Sequence, residues 1–253
     1  MSICGGFGLL FEANPDGALF IGSGITIAVG IILAFVFGKK TDDLPKREGL
    51  VLVGLTWLCF GVFGAIPYML GGPHLPFADA IFESISGFTT TGATVIADLD
   101  KWPHDILLWR AISQWLGGLG ILVLFMLFLS SLGAGSKFLF KNESGFQPND
   151  FAAVKIKDVA NMVLKIYLIL TLVCAVGLKC LGMSWFEAIT HTFTTVSTAG
   201  FSIYNESVGY FRDWETAWLI EIWITLFMLL ASISFIFYLL IWHRKFNRLR
   251  QLC

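Results

Sequence analysis

The feature that most constrains this sequence is a series of five apolar blocks, each long enough to cross a lipid bilayer. A helix needs about 20 mostly apolar residues to span the hydrocarbon core. The composition agrees, because only 14% of the residues are charged, against about 25% in soluble domains. The sequence therefore predicts an all-α membrane protein with spans over 17–38, 48–71, 105–130, 158–181 and 215–242.

Basic residues are concentrated in three segments, which follow the first, third and fifth blocks. If the spans alternate in direction, these segments lie on one side of the membrane, and the positive-inside rule places that side in the cytoplasm. The opposite connections carry only Lys101, Lys179 and Arg212. We therefore expect a multi-pass protein of the cell (inner) membrane with cytoplasmic basic loops. The basic residues concerned are Lys39, Lys40, Lys46, Arg47, Lys137, Lys141, Lys155, Lys157, Arg244, Lys245, Arg248 and Arg250.

Two segments between the blocks, 76–103 and 183–211, are too short to span a membrane as helices. Each begins with a helical stretch of about ten residues and continues into a run rich in Gly, Ser and Thr. Lipid cannot satisfy the hydrogen-bonding groups of non-helical backbone, so such a run must be buried in protein or line a water-filled path. We therefore predict two re-entrant segments whose loops face a shared axis.

The two segments are related by an internal repeat. With an offset of 108, the matched pairs are Asp79 and Glu187, Ala80 and Ala188, Ile81 and Ile189, Thr90 and Thr198, and Gly92 and Gly200. The repeat divides the chain into a segment with one span (1–47), a first helix–loop–helix unit (48–130), a cytoplasmic linker (131–157) and a second unit with a basic end (158–253).

The composition of the loops suits a path for a dehydrated monovalent cation. Such an ion needs several oxygen ligands of modest field strength, which rings of backbone carbonyls supply. Glycine permits backbone angles that turn carbonyls inward, and threonine adds a hydroxyl oxygen. Asp79 and Glu187 begin the short helices, where the macrodipole favours a carboxylate. Simple helix capping is one interpretation of these two residues, and orientation of the opposite helix ends toward a cation is the other.

Several stretches of this chain closely resemble the Trk/Ktr/HKT superfamily of potassium transporters, and within it the bacterial TrkH type. The stretches are FESISGFTTTGATV (82–95), LLWRAISQWLGGLGILVL (107–124), and FTTVSTAGFS (193–202) ahead of FMLLASISF (227–235). The resemblance covers about residues 18–245 and matches the N-terminal half of a TrkH-type subunit.

The resemblance implies four helix–pore–helix repeats of the potassium-channel type in one chain, each with a short selectivity filter. This chain would supply two of the four filters. Potassium would be the transported ion, and no organic cofactor is expected. The implied filter residues are Thr90, Thr91, Gly92 and Ala93 in the first loop and Thr198, Ala199, Gly200 and Phe201 in the second. The implied potassium ligands are the backbone carbonyls of Thr90, Thr91, Thr198 and Ala199.

Two filter segments cannot close a ring of four, so the chain needs a partner. We expect a fragment that is completed by the remaining two repeats of the same protein, and the other interpretation is a natural two-repeat protein that forms a homodimer. The resemblance also implies a cytosolic nucleotide-binding regulatory subunit at the basic inner face. Membrane lipid would surround the helices, and the net charge of −1 gives no reason to expect nucleic acid.

The alternative function is a secondary solute transporter with discontinuous helices. Such proteins usually place charged groups at the membrane midplane, and the two loop runs contain none. The chain is not expected to be an enzyme, because it has no HExxH or GxSxG motif. We expect Arg110, near the middle of an apolar block, to make a structural salt bridge or carbonyl contact rather than an ion barrier. The Gly117-Gly118-x-Gly120 cluster predicts close helix packing.

Overall fold

The computed structural model describes residues 1–11, 17–38, 46–131, 156–233 and 238, and within these ranges the chain is helical without strands. The α-helices are α1 (Ser2–Phe11), α2 (Ala18–Phe37), α3 (Lys46–Leu70), α4 (Phe77–Phe88), α5 (His104–Ser131), α6 (Ile156–Cys180), α7 (Trp185–Val196) and α8 (Ala217–Ser232). Two short 3-10 helices, Leu99–Lys101 and Ser207–Phe211, lie in the connections after α4 and α7.

Four long helices correspond to the first four predicted spans, and their bounds agree within two residues. Three of them contain segments long and apolar enough to cross a membrane, namely Ala18–Phe37, Val51–Leu70 and Asn161–Cys180. The fourth is α5, which has 28 residues and is therefore about 42 Å long. That length exceeds the roughly 30 Å of a bilayer core.

The structure describes the fifth predicted span only as far as residue 233, together with residue 238. Helix α8 ends at Ser232, and Ile233 has an extended backbone with φ −65° and ψ 135°. The Ser232 hydroxyl donates a hydrogen bond of 2.8 Å to the Leu229 carbonyl, and such side-chain bonds compete with the helical ladder. The rest of this span and most of the basic residues used to predict orientation lie outside the described residues.

Helix α2 presents a mostly exposed apolar surface. Ile31, Ile32 and Phe35 are 52%, 59% and 88% exposed. A continuous apolar surface of this kind is unfavourable in water and is suited to lipid. The helix therefore has the properties of a membrane span at the periphery of the chain.

Helix α5 joins the two halves of the structure, because it packs against α3 and α4 of the first unit and against α6 and α7 of the second. The Trp115 indole donates to the Thr171 hydroxyl at 3.1 Å, and the Tyr167 hydroxyl donates to the Trp115 carbonyl at 3.0 Å. These bonds satisfy polar groups that would otherwise be costly to bury. They fix α6 against the middle of α5.

Adjacent glycines allow α5 to approach the C-terminal ends of both short helices. A Cβ atom at Gly117 would overlap the carbonyl oxygen of Phe88, the last residue of α4. A Cβ atom at Gly118 would lie 3.0 Å from the Cβ of Ser197, which follows α7. The predicted role in close packing is confirmed for Gly117 and Gly118, whereas a Cβ atom at Gly120 would meet only an ordinary contact with Trp57. The two close glycines bring the ends of α4 and α7 against adjacent residues of α5.

Candidate functional site

Helices α4 and α7 end with the same backbone hydrogen bonds, a pattern known as the Schellman motif. In each motif, one backbone N–H donates to the carbonyl three residues earlier, and the next N–H donates to the carbonyl five residues earlier. The bonds, each 3.0 Å long, run from Thr90 N–H to the Gly87 carbonyl, from Thr91 N–H to Ser86, from Thr198 N–H to Thr195 and from Ala199 N–H to Thr194. The offset of 108 found in the sequence therefore applies to the backbone as well.

The same positions of both loops have left-handed backbone. Thr90 and Thr198 each have φ 55°, and Gly92 and Gly200 have φ 75° and 95°. The left-handed conformation costs a residue with a Cβ atom about 1–2 kcal/mol. Each of the two matched threonines carries this cost, so the surrounding structure must hold both loops in one particular conformation.

The two loops meet at Gly92 and Ala199. A Cβ atom added at Gly92 would overlap the Ala199 carbonyl oxygen, and the same Cβ atom would lie 3.7 Å from the Cα of Gly200. A Cβ atom at Gly200 would meet no atom within 4 Å. The loops therefore touch on one side of Gly92, while the corresponding side of Gly200 is open.

The four carbonyls predicted as ion ligands differ in their surroundings, because the Ala199 oxygen lies against the Cα of Gly92. Within the described ranges, no hydrogen bond is donated to the backbone carbonyl oxygens of Thr90, Thr91, Thr198 or Ala199. The carbonyl of Ala93 differs, because the Ser86 hydroxyl donates to it at 2.5 Å.

The other residue predicted at the end of the second filter, Phe201, is anchored by its surroundings. Its N–H donates to Gln114 Oε1 at 3.1 Å, and its ring lies 4.2 Å from the guanidinium carbon of Arg110. Gln114 lies on α5 and was not identified from the sequence. The available signal was an amide side chain within an apolar span. Such a group needs a hydrogen-bond partner when it is buried.

Arg110 makes the structural salt bridge and the carbonyl contact that the sequence predicted. Its side chain is fully buried beside Glu83, with Nε 2.8 Å from Glu83 Oε1 and one terminal nitrogen also 2.8 Å from that oxygen. The other terminal nitrogen donates to the Ser202 carbonyl at 2.9 Å. Arg110 therefore connects α4 with the second loop.

Glu83 connects the same pair to the first loop, and the sequence analysis missed it. Its carboxylate accepts the Thr94 hydroxyl at 3.0 Å and the Val95 N–H at 3.1 Å. The signal was available, because an arginine inside an apolar span needs a counter-charge and Glu83 is the one carboxylate of α4 beyond its first turn.

His191 has the position in α7 that Glu83 has in α4. Its Nδ1 lies 2.9 Å from the Glu187 carbonyl, so this nitrogen carries the proton, and its Nε2 lies 3.4 Å from the Ser202 hydroxyl. Ser202 in turn matches Thr94 at the offset of 108. In both units a side chain of the short helix therefore contacts a hydroxyl at the same place in the loop.

The capping interpretation is confirmed for Glu187. Ser184 and Glu187 form a reciprocal capping box at the start of α7, with bonds of 2.6 and 3.2 Å. The Tyr204 hydroxyl also donates to Glu187 at 2.5 Å. Helix α4 instead begins after Pro76, which has no capping side chain, and Asp79 lies in its first turn.

Apolar helices around loops with available backbone carbonyls are typical of membrane ion-transport proteins. Comparison with known families defines the group within that class. The chain belongs to the TrkH family, described as cation transport protein, which matches residues 16–252. The predicted resemblance is thereby confirmed.

Named relatives support this assignment. The chain is 37% identical over 239 residues to the "Trk system potassium uptake protein TrkH" of Halomonas elongata, covering 94% of this chain and 49% of that protein. It is 40% identical over 189 residues to the TrkH of Escherichia coli K12, covering 74% of this chain and 39% of that protein. The chain therefore spans about half the length, or less, of these relatives.

A solved structure has a similar fold. The crystal structure of the potassium transporter TrkH from Vibrio parahaemolyticus superposes with a TM-score of 0.78 at 32% identity. The match covers 93% of this chain and 47% of that protein. The chain thus has the fold of part of a membrane transporter.

Proposed function

We propose that this chain takes part in potassium uptake across the cell (inner) membrane and supplies two of four selectivity-filter segments. The observation that carries this proposal is the contact between Gly92 and Ala199, which brings the two loops together. The available carbonyls of Thr90, Thr91 and Thr198 beside this contact support it further. In this arrangement the two short helices are the pore helices of repeated units of the potassium-channel type.

Transport requires the potassium ion to exchange its hydration shell for carbonyl oxygens. In the proposed path these oxygens belong to Thr90, Thr91, Thr198 and Ala199, with matching oxygens from two further segments. The C-terminal ends of α4 and α7 carry partial negative charge and immediately precede the loops. They therefore favour a cation at the loops without placing a formal charge there.

The partners follow from the incomplete ring. Two further repeats of the same protein complete it in this proposal, and a second copy of this chain is the other source. The basic loops face the cytoplasm by the positive-inside rule, where a cytosolic nucleotide-binding subunit would regulate the complex. Transport needs no organic cofactor, and the chain performs no enzymatic reaction.

The proposal is tested by potassium-limited growth of a bacterium that lacks its own potassium uptake systems. The cells express this chain together with the second half of a TrkH relative. Gly92→Ser and Gly200→Ser should lower the uptake of potassium relative to sodium, while both proteins still reach the membrane. Gly24→Ser is the matched control, because a Cβ atom at Gly24 in the peripheral helix α2 would meet no atom within 4 Å. Unchanged ion ratios in both loop variants would contradict the filter assignment.

A further inference from the structure

We propose that Arg110 is a positioning residue for ion selectivity, which holds the second loop at a fixed distance from the first through Glu83. This inference rests on the proposed function of the loops. Arg110 does not contact the ion in this proposal. Its role is to set the spacing between two sets of carbonyl ligands.

The first step is that one guanidinium group bonds to both loops. One terminal nitrogen of Arg110 donates to the Thr94 hydroxyl at 3.2 Å, and the other donates to the Ser202 carbonyl at 2.9 Å. Thr94 lies two residues after Gly92, and Ser202 lies two residues after Gly200. The bridge therefore joins equivalent points of the two loops, close to the proposed ligands.

The second step is that Glu83 makes the bridge rigid. The carboxylate binds Arg110, the Thr94 hydroxyl and the Val95 N–H, and both charged side chains are almost completely buried, at 2% and 0% exposure. A buried pair of this kind has little freedom to move, because breaking any bond would leave a desolvated polar group without a partner. The first loop and the guanidinium therefore behave as one unit.

The third step is that the bridge is asymmetric. At the offset of 108, Arg110 corresponds to Trp218, which is 60% exposed, and Glu83 corresponds to His191. The second unit therefore has a contact between short helix and loop, but it has no arginine at the position that joins the loops. Arg110 therefore adds a charged bridge between the loops to the contact between Gly92 and Ala199.

Lysine cannot replace this arginine in full. The guanidinium is a planar fork that donates in three directions at once, to Glu83, Thr94 and Ser202, whereas an ammonium on a flexible stem is a point charge. Arg110→Lys keeps the buried positive charge opposite Glu83 and weakens the attachment of the second loop. A precise site tolerates displacements of only about 0.5 Å, so looser spacing should reduce discrimination between potassium and sodium.

The test uses the assembled transporter that contains this chain, purified and reconstituted into vesicles. The readouts are the ratio of potassium to sodium flux and the difference in unfolding temperature between equal concentrations of KCl and NaCl. The matched control is the double variant Glu206→Gln with Arg212→Gln, which removes an exposed Arg–Glu pair whose side chains are 68% and 77% exposed. A merely structural role for Arg110 would lower stability in both salts equally.

We expect Arg110→Lys to lower the flux ratio by about tenfold, a size typical of residues that act through a packed network. The potassium-specific stabilisation should shrink in parallel, and the control should match the parent. Thr94→Val, which leaves the ion pair intact, should lower the flux ratio by a smaller factor. This variant provides the test if Arg110→Lys does not accumulate in the membrane. A selective parent with unchanged ratios in these variants would overturn this inference alone. A parent without selectivity would overturn the proposed function and this inference with it.

Discussion

The Ala199 carbonyl oxygen lies against the Cα of Gly92, in the space that a side chain at residue 92 would occupy. The open side of Gly200 provides the comparison. Both residues have positive φ, so a substitution at either one costs about 1–2 kcal/mol in backbone strain. Only the substitution at Gly92 must also push the two loops apart.

We therefore predict that Gly92→Ala lowers the free energy of unfolding more than Gly200→Ala. We expect a loss of about 1–2 kcal/mol at Gly200 from backbone strain alone. At Gly92 the displacement of the second loop adds about 1–3 kcal/mol from overpacking. Thermal unfolding of both variants in detergent measures the difference, and equal losses would show that the loops do not touch as described.

The glycine cluster of α5 supports a second comparison. A Cβ atom at Gly117 would overlap the Phe88 carbonyl, whereas a Cβ atom at Gly120 would lie 3.6 Å from Trp57, an ordinary contact distance. We predict that Gly117→Ala destabilises the protein by about 1–3 kcal/mol. Gly120→Ala should be neutral or stabilising, because alanine is the better helix former by up to about 1 kcal/mol. The measurement is the unfolding temperature of each variant, and a harmless Gly117→Ala would argue against the packing of α5 on the end of α4.

Much of the fold could be predicted from the sequence, because hydrophobic length and repeated residues are local signals. They gave the four long helices, both short helices and the match between Gly92 and Gly200. The left-handed backbone of Thr90 could not be predicted, since β-branched residues rarely adopt positive φ. Sequence alone would assign that conformation to glycine.

The sequence predicted that Arg110 would have a polar partner, but it did not identify Glu83 as that partner. The cost of an isolated charge in an apolar environment shows that Arg110 needs a partner. Which carboxylate supplies it depends on how α4 packs on α5, and that packing is a tertiary property. The contact between Gly92 and Ala199 was unpredictable in detail for the same reason.

The stability of the protein should depend strongly on both members of the buried Arg110–Glu83 pair. We predict that Glu83→Gln destabilises the protein by about 3–5 kcal/mol, because it leaves the Arg110 charge buried without a counter-charge. The double variant Glu83→Gln with Arg110→Gln should be more stable than Glu83→Gln alone. A double-mutant cycle in denaturant measures this coupling, and strictly additive effects would contradict the pairing.

The connections that follow α4 and α7 should respond to pH through Asn205. This side chain accepts the Leu99 N–H at 2.7 Å and donates to Asp98 and Asp100 at 3.4 and 3.2 Å. Hydrogen bonds from Lys101 and then Asn205 hold the pKa of Asp98 below its usual 3.8. Since the pKa is lower in the folded state, this stabilisation is present above about pH 4 and is lost as the pH falls through the folded-state pKa.

We predict that Asn205→Asp lowers the unfolding temperature at neutral pH, because it replaces a donor by a third carboxylate. The deficit relative to the parent should shrink as the pH is lowered toward 4, where the carboxylates begin to take up protons. Asn205→Ala is the control, since it removes the donor without adding charge, and its deficit should change less with pH. A deficit in Asn205→Asp that is the same at both pH values would exclude the electrostatic explanation.

The central claim is that the two loops form part of a potassium path that needs four such loops. The most direct test is to purify this chain, determine its mass in detergent, and measure potassium and sodium flux after reconstitution, for the parent and for Gly92→Ser. Selective potassium flux is expected only from assemblies that hold four loops, either a dimer of this chain or a complex with the two further repeats. In such an assembly Gly92→Ser should reduce the selectivity. Selective flux from a strict monomer, or unchanged selectivity of Gly92→Ser in a four-loop assembly, would contradict the claim.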